Sequence, residues 1–407
     1  MKSASRSTGR NARVRALLLV LLAAPSGCAL RGPALTTISH LAYNEAVQQS
    51  EQRELLLNLV RLRYLEAPEF LAISSISSQM QFDARASLGG NFGDDQTLAT
   101  RLITPGAEVG YSESPTVTFA PQQSDEFTRR LVAPVDLDRL YLLVRYGWSL
   151  ERTLRLVAEQ INDLRNVATR ESLTSADVES IAGFAELARA MDSLYARRLI
   201  DIDAVEQWSV IATNISSDRV LAQDFVSAAA NGYRLEFNRD VMAYELQVLV
   251  QRYVLRVAPE GRRLPEIQAL LARLGLRVGE SLYELDSRAL PSGGGGAVLA
   301  VRTRSVLGAM AYLSHGVAVP ETHIASGAAA RGELGAVANQ TLIRISSSDE
   351  PPADPALAVQ YRGHWFYIED RDLDSRRTLG ALTSLVRLQI GAGDAQTVPV
   401  LTLPVTR

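Results

Sequence analysis

LAVQYRGHWFYIEDRDLDSRRTLGALTSLVRLQI, residues 357–390, contains both of the periods that decide the fold. Leu357–Tyr361 and Trp365–Glu369 are extended runs with β-branched and aromatic residues, and they pair naturally across Arg362-Gly363-His364. After the acidic step Asp370-Arg371-Asp372 the spacing changes. Leu379, Leu382, Leu385, Val386 and Ile390 recur every three or four residues, so Leu373–Ile390 reads as a long helix with one apolar face. A hairpin followed by a helix is the signature of segregated α and β structure, and it predicts an α+β fold.

Working outward, Val398–Leu403 continues this region as a strand, and Ala297–Val301, Ser305–His315 (closed by Gly316) and Thr341–Ile345 precede it as strand, helix and strand. Residues 297–407 are thus expected to form a small C-terminal α+β unit. Pro291-Ser292 and Gly293–Gly296 mark its linker, because four consecutive glycines restrict the backbone least. Residues 37–290 are expected to be a mixed main body. It opens with a helix over Ile38–Leu65, and Ile76–Ala84 and Ala107–Ala120 then alternate as strands around a loop that contains Gly89, Gly90, Gly93 and Asp94-Asp95. Pro115 places the second strand at a sheet edge or a bulge. From Ser124 to Gly232 the chain reads as a mostly helical central region, with starts at Ser124, Ser149 and Thr174. Residues 233–257 alternate again, with Val241–Val250 open to a buried helix as well, and Pro265 to Gly275 bracket a further helix.

The N-terminus carries a different message. Lys2, Arg6, Arg10, Arg13 and Arg15 precede the Leu- and Ala-rich run Ala16–Ala24, which is about half the roughly 20 residues needed to span a bilayer. Residues 1–27 therefore read as an export signal. The run closes on Ala-Pro-Ser-Gly before Cys28, the single cysteine of the chain. Leu22–Cys28 resembles the lipobox of bacterial lipoproteins, with Pro25 standing where Leu is usual. The resemblance implies lipidation at Cys28, a tether over 28–36, and a membrane reached through the lipid anchor alone. Ala29, where an inner-membrane protein typically carries Asp, implies the periplasmic face of the outer membrane, with display on the cell surface as the alternative. The blocks Leu55–Tyr64, Tyr111–Pro121, Thr303–Pro320, Gln360–Arg377 and Pro399–Val405 are similar to those of a group of uncharacterised proteobacterial lipoproteins, a likeness that brings no activity with it.

Composition narrows the partners. Losing residues 1–27 removes five cations and no acid, so the formal charge moves from −3 to −8, which gives the mature chain no electrostatic reason to bind nucleic acid. No stretch is a catalytic signature, and neither a catalytic residue, a metal site nor a cofactor site is assigned. There is no Gly-x-Ser-x-Gly elbow, and the run Gly293–Gly296 lacks the Lys and hydroxyl of a phosphate loop. His40, His315, His323 and His364 are dispersed, with His315 and His323 sharing one Gly- and Ala-rich region. Asp370, Asp372 and Asp374 alternate like the start of a calcium loop. Ser375 and Ala381 stand where that loop needs Gly and Glu, so the run is read as a helix entry with Asp374 or Ser375 as cap. The cluster Arg362, His364, Trp365, Phe366 and Tyr367 is read as core, with a docking surface as the alternative. The expected function is a non-enzymatic binding or scaffolding component of the envelope, with an envelope protein as partner; the alternative is a periplasmic hydrolase whose site assembles only in three dimensions.

Overall fold

Serine hydroxyls begin several helices, and they do so where the sequence places them. Ser124, Ser149 and Ser305 each sit in extended backbone and accept the amide of the residue three ahead (Phe127, Arg152 and Gly308, at 3.1, 3.2 and 3.0 Å). Thr174 lies outside the described residues. The computed structural model describes residues 32–90, 103–122, 124–166, 175–289, 296–329, 342–390 and 401–404.

The chain divides into two units, Met1–Glu54 and Leu55–Arg407. In the first, the described part is the beginning of a helix that runs over Gly32–Arg63. The second is α+β. Its strands are β1 (Leu71–Gly90), β2 (Ile103–Pro121), β3 (Ala158–Ile161), β4 (Leu164–Arg165), β5 (Ile200–Ile215), β6 (Tyr233–Asn238), β7 (Ala243–Val257), β8 (Leu282–Asp286), β9 (Val298–Thr303), β10 (Ser346–Ser348), β11 (Pro355–Tyr361), β12 (His364–Glu369) and β13 (Leu401–Pro404). They build three sheets, ordered β1-β2-β13, β10-β12-β11 and β4-β3-β9-β8-β7-β5, with β6 added on β7. All pairings are antiparallel except β8 with β9.

The core is continuous. Leu56 and Leu59, Leu140 and Leu143, Phe184 and Met191, Tyr283, Met310, Phe366 and Leu382 belong to one buried cluster. The segment from 297 onward accordingly does not close around a core of its own. Strand β9 lies between β3 and β8, and the helix Leu373–Ile390 buries Leu379, Leu382 and Leu385 in the shared interior. Pro291–Gly295, the expected linker, lies outside the described residues. Arg304 ties these parts together from within: its guanidinium is buried, donates to the carbonyls of Arg155 (3.1 Å), Ala158 (2.8 Å) and Asn166, and stacks 4.2 Å above Tyr312. Burial lowers its pKa to about 10, which leaves it charged at neutral pH.

Two expectations change. The helical reading of 124–232 fails at Ala158–Arg165, where the short strands β3 and β4 pair, and at Ile200–Ile215, which is strand β5 paired along β7. Ile200-Asp201-Ile202-Asp203 already alternates, and Val205, Val210, Ile211 and Ile215 are β-branched residues that fit a pleated surface. The strand expected over Thr341–Ile345 is displaced to Ser346–Ser348, while Ile345 makes an isolated bridge to Val317. Val241–Val250 resolves as strand from Ala243. The hairpin and helix of 357–390 take their expected form, with Arg362 (φ 47°) and Gly363 (φ 85°) making the two-residue left-handed turn that matches strand twist.

Candidate functional site

That turn brings together residues far apart in sequence. Arg362 reaches Glu66, just beyond the first helix (Nη2 to Oε1, 2.7 Å), and lies over the rings of Tyr64 and Tyr361 at 5.2 and 5.6 Å. Tyr64 Oη is 2.6 Å from His323 Nδ1, and the His323 ring meets His364 edge-on with centroids 4.5 Å apart. His364 Nδ1 lies 2.7 Å from Asp349 Oδ1, but without hydrogen-bonding alignment, so the contact is electrostatic only. In sequence His323 shares a Gly- and Ala-rich region with His315, with no geometry fixed between them. The fold joins it to His364 instead and leaves His315 as the C-cap of Val306–Ser314.

The electrostatics favour a neutral Tyr64–His323 pair beside a charged Glu66–Arg362 pair. Burial raises the Tyr64 phenol, and the Glu66 carboxylate is held below its usual range by the Tyr361 hydroxyl and by Arg362. His323 is lowered by desolvation, then by His364 and Arg362. With the phenol as donor, the His323 proton resides on Nε2, and moving a proton from Tyr64 to His323 is opposed at both ends. This is a stitch between the end of a helix, a short helix and a hairpin turn. Among the described residues no three His, Cys, Asp or Glu side chains are grouped to hold a metal ion.

The aromatic run splits by face. Phe366 is fully buried, as are its alternate neighbours' counterparts Ile368 and Leu357, while Trp365 and Tyr367 are half-buried on the other face of the hairpin. Of the three aspartates, Asp372 is the cap, which corrects the assignment to Asp374 or Ser375. It accepts Ser375 N (3.0 Å) and Ser375 Oγ (2.8 Å), and Ser375 Oγ in turn accepts Arg344 N (2.8 Å). Asp374 is exposed and pairs with Arg152 (3.1 Å) and Arg377 (3.5 Å). Asp370 pairs with Arg376, and Glu369 with Arg371. A shallow groove of about 370 Å³ lies here between Ala353, Asp354, Tyr367 and these acids, whose charges are already largely matched. Cys28, the expected lipidation site, lies outside the described residues.

Sequence reasoning missed the most distinctive surface. Strand β5 begins and β7 ends in the core, where Ile200, Ile202, Leu255 and Val257 are buried, and Arg145 and Arg256 clamp Asp203 from either side (3.6 and 2.6 Å). Beyond Tyr253 the pair leaves β8 behind and continues as an arm completed by β6 and the helix Ala222–Ala230, which has no buried residue. Tyr244 holds the arm together, edge-on to Phe225 (5.4 Å) and Phe237 (5.1 Å), and Arg234 covers Trp208 at 4.4 Å. Ten of the eighteen large apolar residues exposed among those described fall within 208–249, including Ile211 (52%), Val226 (70%) and Met242 (69%). Such a concentration marks interaction surfaces, whether for a protein or for a membrane. No family model matches the chain, and neither a curated protein nor a solved structure matches it.

Proposed function

We propose that this chain is an exported envelope protein, lipid-anchored at Cys28, that works by holding an envelope protein partner and not by catalysis. The observation that carries the binding half is the arm, whose exposed apolar residues are concentrated on a rigidly rooted β-ribbon and a helix that buries nothing. The His323 stitch supports the same reading, because its groups are spent on one another in neutral form. The anchor half rests on the basic, apolar and small-residue succession ending at Cys28 and on the likeness to lipoproteins. No helix among the described residues is long and apolar enough to cross a membrane, and this reading attaches the chain through the lipid at Cys28.

Two measurements test it. Labelled palmitate should enter the wild-type chain and be lost from Cys28→Ser; incorporation in the mutant, or none in wild type, removes the anchor. For binding, wild type and the double variant Ile211→Asp, Val226→Asp should be cross-linked in intact cells and compared. A specific envelope partner captured by wild type and lost from a variant of unchanged melting temperature is expected. An identical set of partners for both defeats the assignment to the arm.

A further inference from the structure

The ribbon β1–β2 is a second unusual element, and its register is informative. Twenty residues pair with nineteen, from Leu71 opposite Pro121 to Gly90 opposite Ile103, against a usual strand of about 5–6 residues. The one strand hydrogen-bonded to it among the described residues is β13, which covers only Thr116–Phe119. Beyond Pro115, just past the reach of β13, β2 has β1 as its single neighbour among the described residues, and no described strand pairs with either outer edge. A free two-stranded ribbon is at best marginally stable in water, so this one calls for cover.

The rows say what covers it. Residues paired across the ribbon share a face, and successive rows alternate faces. One set of rows reads Ser77–Thr116, Gln79–Ser114, Gln81–Ser112, Asp83–Gly110, Arg85–Glu108, Ser87–Gly106 and Gly89–Thr104, without a single hydrophobic residue. The other set reads Phe82–Tyr111, Ala84–Val109, Ala86–Ala107, Leu88–Pro105 and Gly90–Ile103 over its outer part, without a single polar side chain beyond the phenol. Its polar exceptions, Ser78 and Glu113, lie nearer the body, beyond the aromatic row. These apolar rows span nine residues on each strand, 82–90 and 103–111, which matches the 9–11 or so that a tilted strand needs to cross a bilayer. An aromatic row at one end and small polar residues opposite are the pattern of a membrane barrel's girdle and lumen.

We propose that the outer part of this ribbon is a transmembrane stave. Ribbons from several copies of the chain pair edge to edge into a closed β-barrel, with the Phe82-to-Gly90 rows against lipid and the Gln81-to-Gly89 rows facing the lumen. Closure by copies is required because open edges leave backbone groups unsatisfied in hydrocarbon. The inference places a membrane-embedded part in the envelope protein proposed above, yet it does not depend on lipidation.

The test uses the full-length Cys28→Ser chain with single cysteines introduced in turn at positions 82–89, each carrying an environment-sensitive fluorophore. The purified protein is mixed with phosphatidylethanolamine–phosphatidylglycerol vesicles containing nitroxide-labelled lipid. Quenching should alternate with a two-residue period, strong at 82, 84, 86 and 88 and weak at 83, 85 and 87, in an oligomer of closed stoichiometry. Ala84→Arg with Ala86→Arg should abolish flotation with vesicles while Gln81→Arg with Ser87→Arg leaves it intact, both melting as the parent does. Absence of alternation, or flotation of a monomer, overturns the proposal. Because the test chain has no anchor, failure of palmitate labelling in wild type would sink the lipoprotein reading and leave this one standing.

Discussion

Asp372→Ala should weaken the C-terminal helix far more than Asp374→Ala, although the two aspartates flank the same residue. Asp372 accepts the Ser375 amide at 3.0 Å and its hydroxyl at 2.8 Å, and loss of such a cap costs about 1 kcal/mol, within a range of about 0.5–2. Asp374 is 79% exposed, and its partner Arg152 keeps a second bond to the Asp374 carbonyl, so removal of the carboxylate should cost about 0–1 kcal/mol. Ser375→Ala should cost a comparable amount. Ser375 is 2% exposed, and its hydroxyl accepts the Arg344 amide at 2.8 Å and donates to Asp372 at 2.8 Å, so the substitution removes both hydroxyl bonds while the Asp372–amide cap survives, about 1–3 kcal/mol. Urea midpoints of the three variants and of Asp372→Asn, which keeps an acceptor, order the effects directly. Calcium should leave every midpoint unchanged, because the Asp372 oxygens are committed to Ser375 and Asp370 to Arg376. Equal losses at 372 and 374, or stabilisation of wild type by calcium, would refute this account of the acidic run.

Two further outcomes follow from the packing. His323 is a base whose folded pKa lies below its ordinary 6.5, so the unfolded chain binds more protons; stability present above pH 6.5 should fall as pH drops toward the folded value, and His323→Gln should flatten that part of a melting-temperature profile, whereas an unchanged profile counts against the neutral stitch with Tyr64. A Cβ on Gly380 would stand 2.7 Å from Trp148 Cη2, so Gly380→Ala should lose about 1–3 kcal/mol to overpacking against a helix-propensity gain of about 1. Net stabilisation by that substitution would show that the indole yields freely.

The C-terminal hairpin and helix were legible because a turn, two short strands and a helical period follow one another without interruption, and the helix has the bounds that its spacing gives. Strand β5 was not, because it follows a true helix, Ser175–Ala196, and its alternation over Ile200–Asp203 is short beside the helical context. Propensity decides little where a partner strand 40 or so residues later supplies the pairing. The alternation of 76–84 and 107–120 was visible, but the full length of the ribbon was not, since glycine and proline at 89, 90, 105 and 106 read as punctuation until register is known. The meeting of Tyr64, His323 and His364 had no linear trace. Each histidine is isolated in sequence, and the spacing that matters is set by how the hairpin turn docks on the end of a helix. The aspartate cap lay two residues before the nearer of its expected places, because helix boundaries blur by a residue or two while the hydrogen bond that defines the cap does not.

Strand β13 pairs Leu401–Pro404 with Thr116–Phe119, about 280 residues earlier, a separation that makes this contact among the last the chain can form. During synthesis the root of the long ribbon has no β13 beside it until residues 401–404 have emerged, and throughout that interval this edge of β2 is open to other chains. A change confined to Leu401–Pro404 would then be felt at the base of a ribbon formed from residues about 280 positions earlier.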